Sequence, residues 1–355
     1  MTEPSARLKS LGKAIEREGK NLLRRTLIRA LPKPQVPHRR PVAQDTVRIL
    51  AVRHDARLGN LLLLTPALRL LKRAFPHARV DAVISGRYGE ALAFNPDIER
   101  VMTPAALPSL FLNGGYDAAF DFSPQHAFSL SSAAWTALSR ANMRVGFDRG
   151  DAAAFLNLLV PVPQAQDHET ANLCALVRAA APWAPIPVTE ELRPRWVFGP
   201  GEKEKGSELW RGLGLDGESL AFFLGGRAEK QLPVAWFLDL AARAAKTGRK
   251  VVLTGGPAEA ALLSAAKIPE SVLAAPEMPL RVFAAFLSRA RALVTADTGP
   301  MHLAAALGRP SVEIFTHTEP WRFGYGWLPG NRVLETPGRA PSIDEAWNAL
   351  QGVLG

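Results

Sequence analysis

Residues 294–315 read VTADTGPMHLAAALGRPSVEIF. Val294 and Thr295 end an apolar run, and Asp297, Thr298 and Gly299 make a turn. Met301 to Leu307 is a helix of small apolar residues, which Gly308 and Arg309-Pro310 stop before Ser311 to Phe315 resume an extended run. Strand, turn, helix and strand in that order form the repeating unit of a parallel α/β sheet, with the polar residues gathered in the first connection. A helix N-terminus with free N–H groups and the positive end of the dipole is a ready anion site. Gly299 lets a phosphate approach the backbone, Thr298 adds a hydroxyl donor and Asp297 accepts from sugar hydroxyls. Pro300 and Met301 open the helix, and His302 sits one turn in, facing either the phosphate or the core. The stretch is suited to a sugar–diphosphate; an ordinary Asp/Thr-capped turn is the other reading.

Outward from this stretch the chain keeps alternating. Strands are expected at Val47 to Val52, Arg79 to Ile84, Val101, Tyr116 to Phe122 and Met143 to Gly146, with helices at Gly59 to Ala74, Ala127 to Leu138 and His168 to Ala181. After a proline-rich stretch from Pro182 to Pro200 come strands at Leu220 to Leu224, Lys250 to Thr254 and Val272 to Ala274. Helices at Val234 to Ala245, Ala258 to Lys267, Leu280 to Arg289 and Ile343 to Val353 complete the second half. This is an α/β chain of two doubly wound parallel sheets, with ligands expected at the carboxyl ends of the strands. The organisation expected is a basic extension and linker over 1–45, one domain over 46–190, a second over 191–335 and a terminal helix over 336–355.

Two more loops of the second half carry chemistry. Gly225 and Gly226 follow a strand and precede Lys230, so backbone can approach a diphosphate and an ammonium can neutralise it. Gly255 and Gly256, with Glu259 three residues on, suit the ribose of a nucleotide, although Glu259 serves equally as a helix-start acid.

D-T-G-x-M-H-L-A-A-A-L-G-x-P, Asp297 to Pro310, resembles the signature of glycosyltransferase family 9, the heptosyltransferases of the lipopolysaccharide core. RILAVRHDARLGNLLLLTPALRLLKRAFP (48–76) is similar to that family's opening strand, loop and helix. FFLGGRAEKQLPVAWFLDLA (222–241) is similar to its phosphate-site stretch, with Leu232 where Trp is usual, and VVLTGGPAEAALL (251–263) to its next strand and loop. The resemblance implies a GT-B architecture of two Rossmann-like domains facing a cleft. It implies a nucleotide-diphosphate donor of a heptose or related sugar, ADP-heptose foremost, held in the C-terminal domain, and a lipid-linked glycan acceptor, the lipopolysaccharide core or a related surface glycan, on the N-terminal one. Transfer of the heptose is expected to invert the anomeric centre. Gly225, Gly226, Lys230, Gly256, Glu259 and Asp297 to His302 are then the donor-binding residues, and Arg53 and Arg57 the acceptor-binding ones. No cofactor and no metal are expected.

One position departs from the family. Its opening loop ends Gly-Asp and that aspartate is the proposed base, whereas here Gly59 is followed by Asn60, which has no titratable carboxylate. Asp55 and His54 in the same loop are the candidate replacements. A catalytically impaired nucleotide-sugar-binding or scaffold protein is the alternative that Asn60 raises.

Composition bounds the other classes. The chain has 355 residues, 47% of them hydrophobic, and one cysteine, Cys174, which leaves no disulfide framework and no multi-cysteine zinc site. The formal charge of +10 is concentrated: residues 1–40 carry eleven Lys/Arg against three Glu, leaving +2 for the remainder. A nucleic-acid-binding body would spread its basic residues over a folded face, so no nucleic acid is expected as a partner. Leu8, Leu11, Ile15 and Leu22 fall on one side of a helix with Lys9, Lys13, Arg17, Lys20 and Arg24 opposite. Such a basic amphipathic helix suits the anionic surface of the inner membrane, and Pro32 to Pro41 form a stiff linker after it. A cytoplasmic protein, peripheral on the inner membrane, is expected.

Overall fold

The computed structural model describes residues 18, 19, 22, 25, 26, 28, 29, 48–55, 57–106, 112, 115–226 and 228–355. Most of the expected basic helix, the linker after it, Ala56 and Arg227 lie outside the described residues.

The first sheet contains β1 (Arg48–Arg53), β2 (Arg79–Ile84), β3 (Arg100–Met102), β4 (Ala118–Asp121), β5 (Met143–Phe147) and β6 (Leu158–Val160). The second contains β7 (Leu220–Phe223), β8 (Val251–Thr254), β9 (Val272–Ala274), β10 (Ala292–Ala296), β11 (Ser311–Phe315) and β12 (Arg332–Glu335). Their orders are β3-β2-β1-β4-β5-β6 and β12-β11-β10-β7-β8-β9, with every pairing parallel. Counted from its own first strand, each sheet has the same doubly wound order. The winding reverses between β1 and β4 in one and between β7 and β10 in the other, and a crevice opens at such a switch point.

Helices cover both faces, which is why the central strands are continuous apolar runs rather than alternating ones. On the first sheet these are α1 (Leu58–Ala74), α2 (Leu130–Leu138) and α3 (Glu169–Ala180); α4 (Glu202–Gly212) follows the connection to the second sheet. On the second they are α5 (Val234–Ala245), α6 (Ala260–Ala265), α7 (Leu280–Leu287), α8 (Gly299–Leu307), α9 (Pro320–Phe323) and α10 (Ile343–Leu354). Helix α1 is buried on most sides because it packs on the first sheet, on α3 and on α8. It tolerates Pro66 in its middle: the ring removes the N–H that would reach the Leu62 carbonyl, and the Thr65 hydroxyl donates to that carbonyl at 2.7 Å instead. The same hydroxyl accepts the Arg195 N–H at 2.8 Å, tying the interdomain connection to α1. Gly308 ends α8 at φ +67°, the left-handed cap that only glycine adopts cheaply.

Arg79–Ile84, Val234–Ala245, Val272–Ala274 and Ser311–Phe315 stand at the limits expected from sequence. The expected helix from Ala127 begins instead at Leu130, because Ser129 caps it by accepting the Ser132 N–H. The motif helix begins at Gly299 rather than Met301, with Thr298 as its N-cap residue. Strands β6 and β12 and helix α4 were not expected. The two strands are short sheet edges of partly exposed residues, and α4 buries only Gly206 and Trp210 on an otherwise charged helix. Among the described residues no helix is long and apolar enough to cross a membrane.

Candidate functional site

The two switch points are where the candidate residues gather. In the second sheet, β7 leads into Gly225, Gly226 and Lys230, and β10 leads into Asp297, Thr298 and the start of α8. Asp297 is drawn into a compact cluster: its Oδ2 accepts from Lys230 Nζ at 2.5 Å and from Thr318 Oγ1 at 2.5 Å. Lys230 is thereby fixed beside the α8 N-terminus. One of its three N–H groups is used by Asp297, so among the described residues two remain for a bound anion. Thr298 does not cap α8 with its side chain, since its hydroxyl pairs with Thr295 Oγ1 at 3.0 Å. Gly226 is packed so closely that a Cβ would lie 2.7 Å from Gln231 Cα. At the neighbouring loop, Glu259 Oε2 accepts the Gly256 N–H at 2.9 Å and closes the turn.

The first sheet mirrors this arrangement. Strand β1 ends at Arg53, whose guanidinium is buried: Nε donates to Asp55 Oδ2 at 2.7 Å and Nη1 to the Phe122 carbonyl at 2.5 Å. Arg53 Nη2 and Asp55 Oδ1 are buried and have no hydrogen-bond partner among the described residues. His54 stacks on Trp135 with ring centroids 5.6 Å apart. Arg57 is exposed at the head of α1, and Asn60 stands half-buried in that helix's first turn. At the end of β4, Asp121 accepts from the Ser123 N–H at 2.9 Å and from its hydroxyl, and burial pushes its pKa up. Arg149, just beyond β5, has Nε and Nη1 buried and unpartnered among the described residues. Arg53 and Arg149 both act electrostatically on Asp121.

The domains meet where α1 and α8 start. A Cβ on Gly299 would be 3.1 Å from that of Leu58, and one on Gly59 would be 2.3 Å from His302 Cδ2. Gly299 therefore provides close approach between domains, in addition to any role toward a phosphate. The His302 ring is buried and shares a 2.7 Å hydrogen bond between Nδ1 and the Tyr325 hydroxyl. Burial pushes its pKa down to about 4, and that of the neighbouring His168 down to about 3. Beneath them Glu313 is fully buried, accepts from the Tyr325 N–H, Ser311 and Asn331, and is pushed up to about 7 by burial. Across the seam Arg322 of α9 reaches the first domain. Its Nε and Nη2 donate to Glu169 Oε2 at 3.0 and 2.9 Å, and Nη2 also donates to His126 Nδ1 at 2.6 Å.

Lys230 and Asp297 are thus in contact, as are Arg53 and Asp55, whereas His54 packs on Trp135 and Glu259 bonds its own turn rather than either pair. Sequence reasoning missed Thr318, Arg322, Glu169, His126, Asp121 and Arg149. Asp121 and Arg149 carried a usable signal, since each ends or follows a strand on the same sheet edge as Arg53. Among the described residues no group of three His, Cys, Asp or Glu side chains converges as metal ligands would. Cys174 is buried in the first core and its thiol is pushed up to about 12 by burial.

Glycosyltransferase family 9 (heptosyltransferase) matches residues 111–340. Lipopolysaccharide heptosyltransferase 1 of Pseudomonas aeruginosa is 29% identical over 313 residues, spanning 77% of this chain and 80% of the relative. A family 9 glycosyltransferase from Veillonella parvula superposes with a TM-score of 0.75 at 19% identity, covering 87% of this chain and 97% of its own. The E. coli ADP-heptose lipopolysaccharide heptosyltransferase II gives 0.70 at 21%, covering 87% and 98%. An E. coli heptosyltransferase solved with ADP gives 0.68 at 23%, covering 86% and 100%. With two doubly wound domains meeting at their switch points and a family match over most of its length, this chain belongs to glycosyltransferase family 9, the heptosyltransferases.

Proposed function

We propose that this protein transfers a heptose from ADP-heptose to a hydroxyl of a lipopolysaccharide core or related surface glycan, with inversion, and that Asp55 is the base. Support for a heptose comes from the Pseudomonas relative's name, for ADP as its carrier from the name of the E. coli ADP-heptose enzyme, and for a diphosphate from the Lys230–Asp297 pair beside the α8 N-terminus. The diphosphate would lie against the start of α8, where the dipole and the Lys230 ammonium stabilise the charge that develops as it leaves. The acceptor oxygen bonds to the anomeric carbon from the opposite face while the bond to the diphosphate oxygen breaks, and the acceptor proton passes to the base.

The observation that carries the base assignment is the state of the Asp55 carboxylate. One oxygen is fixed by Arg53 and the other is buried without a partner among the described residues. A carboxylate so oriented is poised to accept a hydroxyl proton, a role Asn60 cannot fill. Arg53 Nη2 and Nε and Nη1 of Arg149, unpartnered among the described residues, stand at the same end of the sheet, which favours an acceptor carrying a carboxylate or phosphate. Residues 1–40, with +8 of the +10 charge, would hold the protein at the anionic cytoplasmic face of the inner membrane.

The test is single-turnover transfer from ADP-heptose to a lipopolysaccharide-core acceptor, for the parent and for Asp55→Asn. Loss of about 10²–10⁴-fold in the variant with ADP affinity retained supports the assignment, since that is the usual range for removal of a general base. Full activity in Asp55→Asn overturns it. Tight ADP binding with no transfer by the parent favours the scaffold alternative that Asn60 raises.

A further inference from the structure

We propose that Arg322 is a positioning residue that couples the donor site of one domain to the loop bearing the base in the other. This rests on the transfer reaction proposed above and adds a residue to it. On the donor side, Arg322 lies four residues beyond Thr318, whose hydroxyl bonds the Asp297 carboxylate that also holds Lys230. A diphosphate drawing on Lys230 acts on this cluster directly. On the other side, Arg322 grips two separate pieces of the first domain. Glu169 opens α3, which packs along α1, and α1 begins where the base loop ends. His126 lies in the connection after β4, four residues beyond Phe122. The Phe122 carbonyl takes Arg53 Nη1, and Arg53 Nε holds Asp55. The guanidinium therefore bears on both supports of the base loop.

The chemistry of the contact suits positioning better than adhesion. Arg322 is 8% exposed and Glu169 1%, so two charges have been taken out of water, where apolar side chains of equal size would hold the domains as well or better. What a guanidinium supplies is direction, because its planar fork donates along fixed lines to two acceptors at once. The fork is used so here: Nη2 gives one N–H to Glu169 and the other to His126. His126 Nδ1 must then be the unprotonated nitrogen, facing Arg322, Glu169, Arg149 and Arg53 as its charged neighbours. Glu169 Oε1 remains buried and without a partner among the described residues, so the ion pair is not closed bidentately.

The experiment uses the full chain with Glu99→Cys and Lys246→Cys, exposed positions on the first and second domains, carrying spin labels whose separation is read with and without ADP. Cys174 is buried and stays unlabelled. Arg322→Gln and Arg322→Lys are compared with the parent for label separation, ADP affinity and single-turnover transfer. Expected in Arg322→Gln are a longer or broadened separation, ADP affinity within a small factor of the parent, and a transfer rate down about 10²-fold, the size of a 1 Å misplacement. Arg322→Lys should recover part of the rate, since it keeps the charge but not the fork. Unchanged separation and rate in Arg322→Gln overturn the proposal. So does loss of ADP binding in step with a lowered melting temperature, which marks a purely structural residue. If the parent transfers nothing, the label separations and ADP affinities still decide the coupling, and only the reaction assignment fails.

Discussion

At the scale of the residue, Lys230 and Asp297 are one unit: removing either leaves the other's charge beside the α8 N-terminus without its partner. Lys230→Ala should weaken ADP binding by roughly tenfold to a hundredfold, the effect of losing a charge-assisted contact of about 1.5–3 kcal/mol. Asp297→Ala should weaken it comparably by releasing Lys230 and Thr318, and calorimetric titration with ADP checks both. Gly59 has no room for a side chain, since the atom added by Gly59→Ala would meet the His302 ring. Overpacking of this kind costs about 1–3 kcal/mol. The variant should lose stability in a denaturant titration; an unchanged midpoint would refute the contact. His302 and His168 also set an acid limit. Their pKa values are depressed to about 4 and about 3 from an ordinary 6.5, so both are neutral in the fold while the unfolded chain takes up protons first. Their stabilising contribution is present above pH 6.5 and is lost as pH falls through about 4 and then about 3. Melting temperature should fall across that window in the parent, and His302→Gln should flatten part of the fall.

At the scale of the element, the instructive case is α1, a helix with a proline at its centre that is nonetheless buried on most sides. Thr65 repairs the break by donating to Leu62 and accepting from Arg195. Thr65→Val keeps the shape and removes the hydroxyl. It should lower stability by roughly 1–3 kcal/mol, because a buried carbonyl and a partly buried N–H lose their partner, and urea denaturation at unchanged m-value would register it. The central strands and helices were legible because an apolar run between turn residues has one outcome in a sheet covered on both faces. Strands β6 and β12 were not, because an edge strand of three or four residues buries too little to leave a pattern. Helix α4 hid for the opposite reason: EKEKGSELWRG is polar nearly all round and anchored only by Gly206 and Trp210.

At the scale of the whole molecule, the site was legible one side at a time. Gly225, Lys230 and Asp297 follow strands in the sequence, as do Arg53 and Asp55, so a reader of strand ends finds both lips. What joins the lips was not legible. Arg322 is 153 residues from Glu169 and 196 from His126, and no local pattern records a pairing over such separations. The basic extension belongs to this scale as well. Leu22 is 68% exposed while Ile28 packs against the cluster of Ala133, Ala134, Phe155 and Leu156 on the first domain, so among the described residues of this segment Ile28 faces the body and the others face solvent. Deleting residues 1–40 lowers the formal charge from +10 to +2. The truncated protein should no longer sediment with vesicles of anionic phospholipid, each basic residue at the surface being worth roughly 1 kcal/mol. Binding by the full chain should fade as salt rises and the charges are screened. Equal binding by both forms would place the membrane contact on the domains instead.

The central claim for the reaction is that Asp55 takes the proton in place of the position held by Asn60. Single-turnover transfer from ADP-heptose by the parent, Asp55→Asn, His54→Ala and Asn60→Asp tests it directly. The expected result is transfer by the parent, a loss of about 10²–10⁴-fold in Asp55→Asn, little loss in His54→Ala, and a rate in Asn60→Asp that is similar or higher. Full activity in Asp55→Asn, or loss confined to His54→Ala, would contradict it.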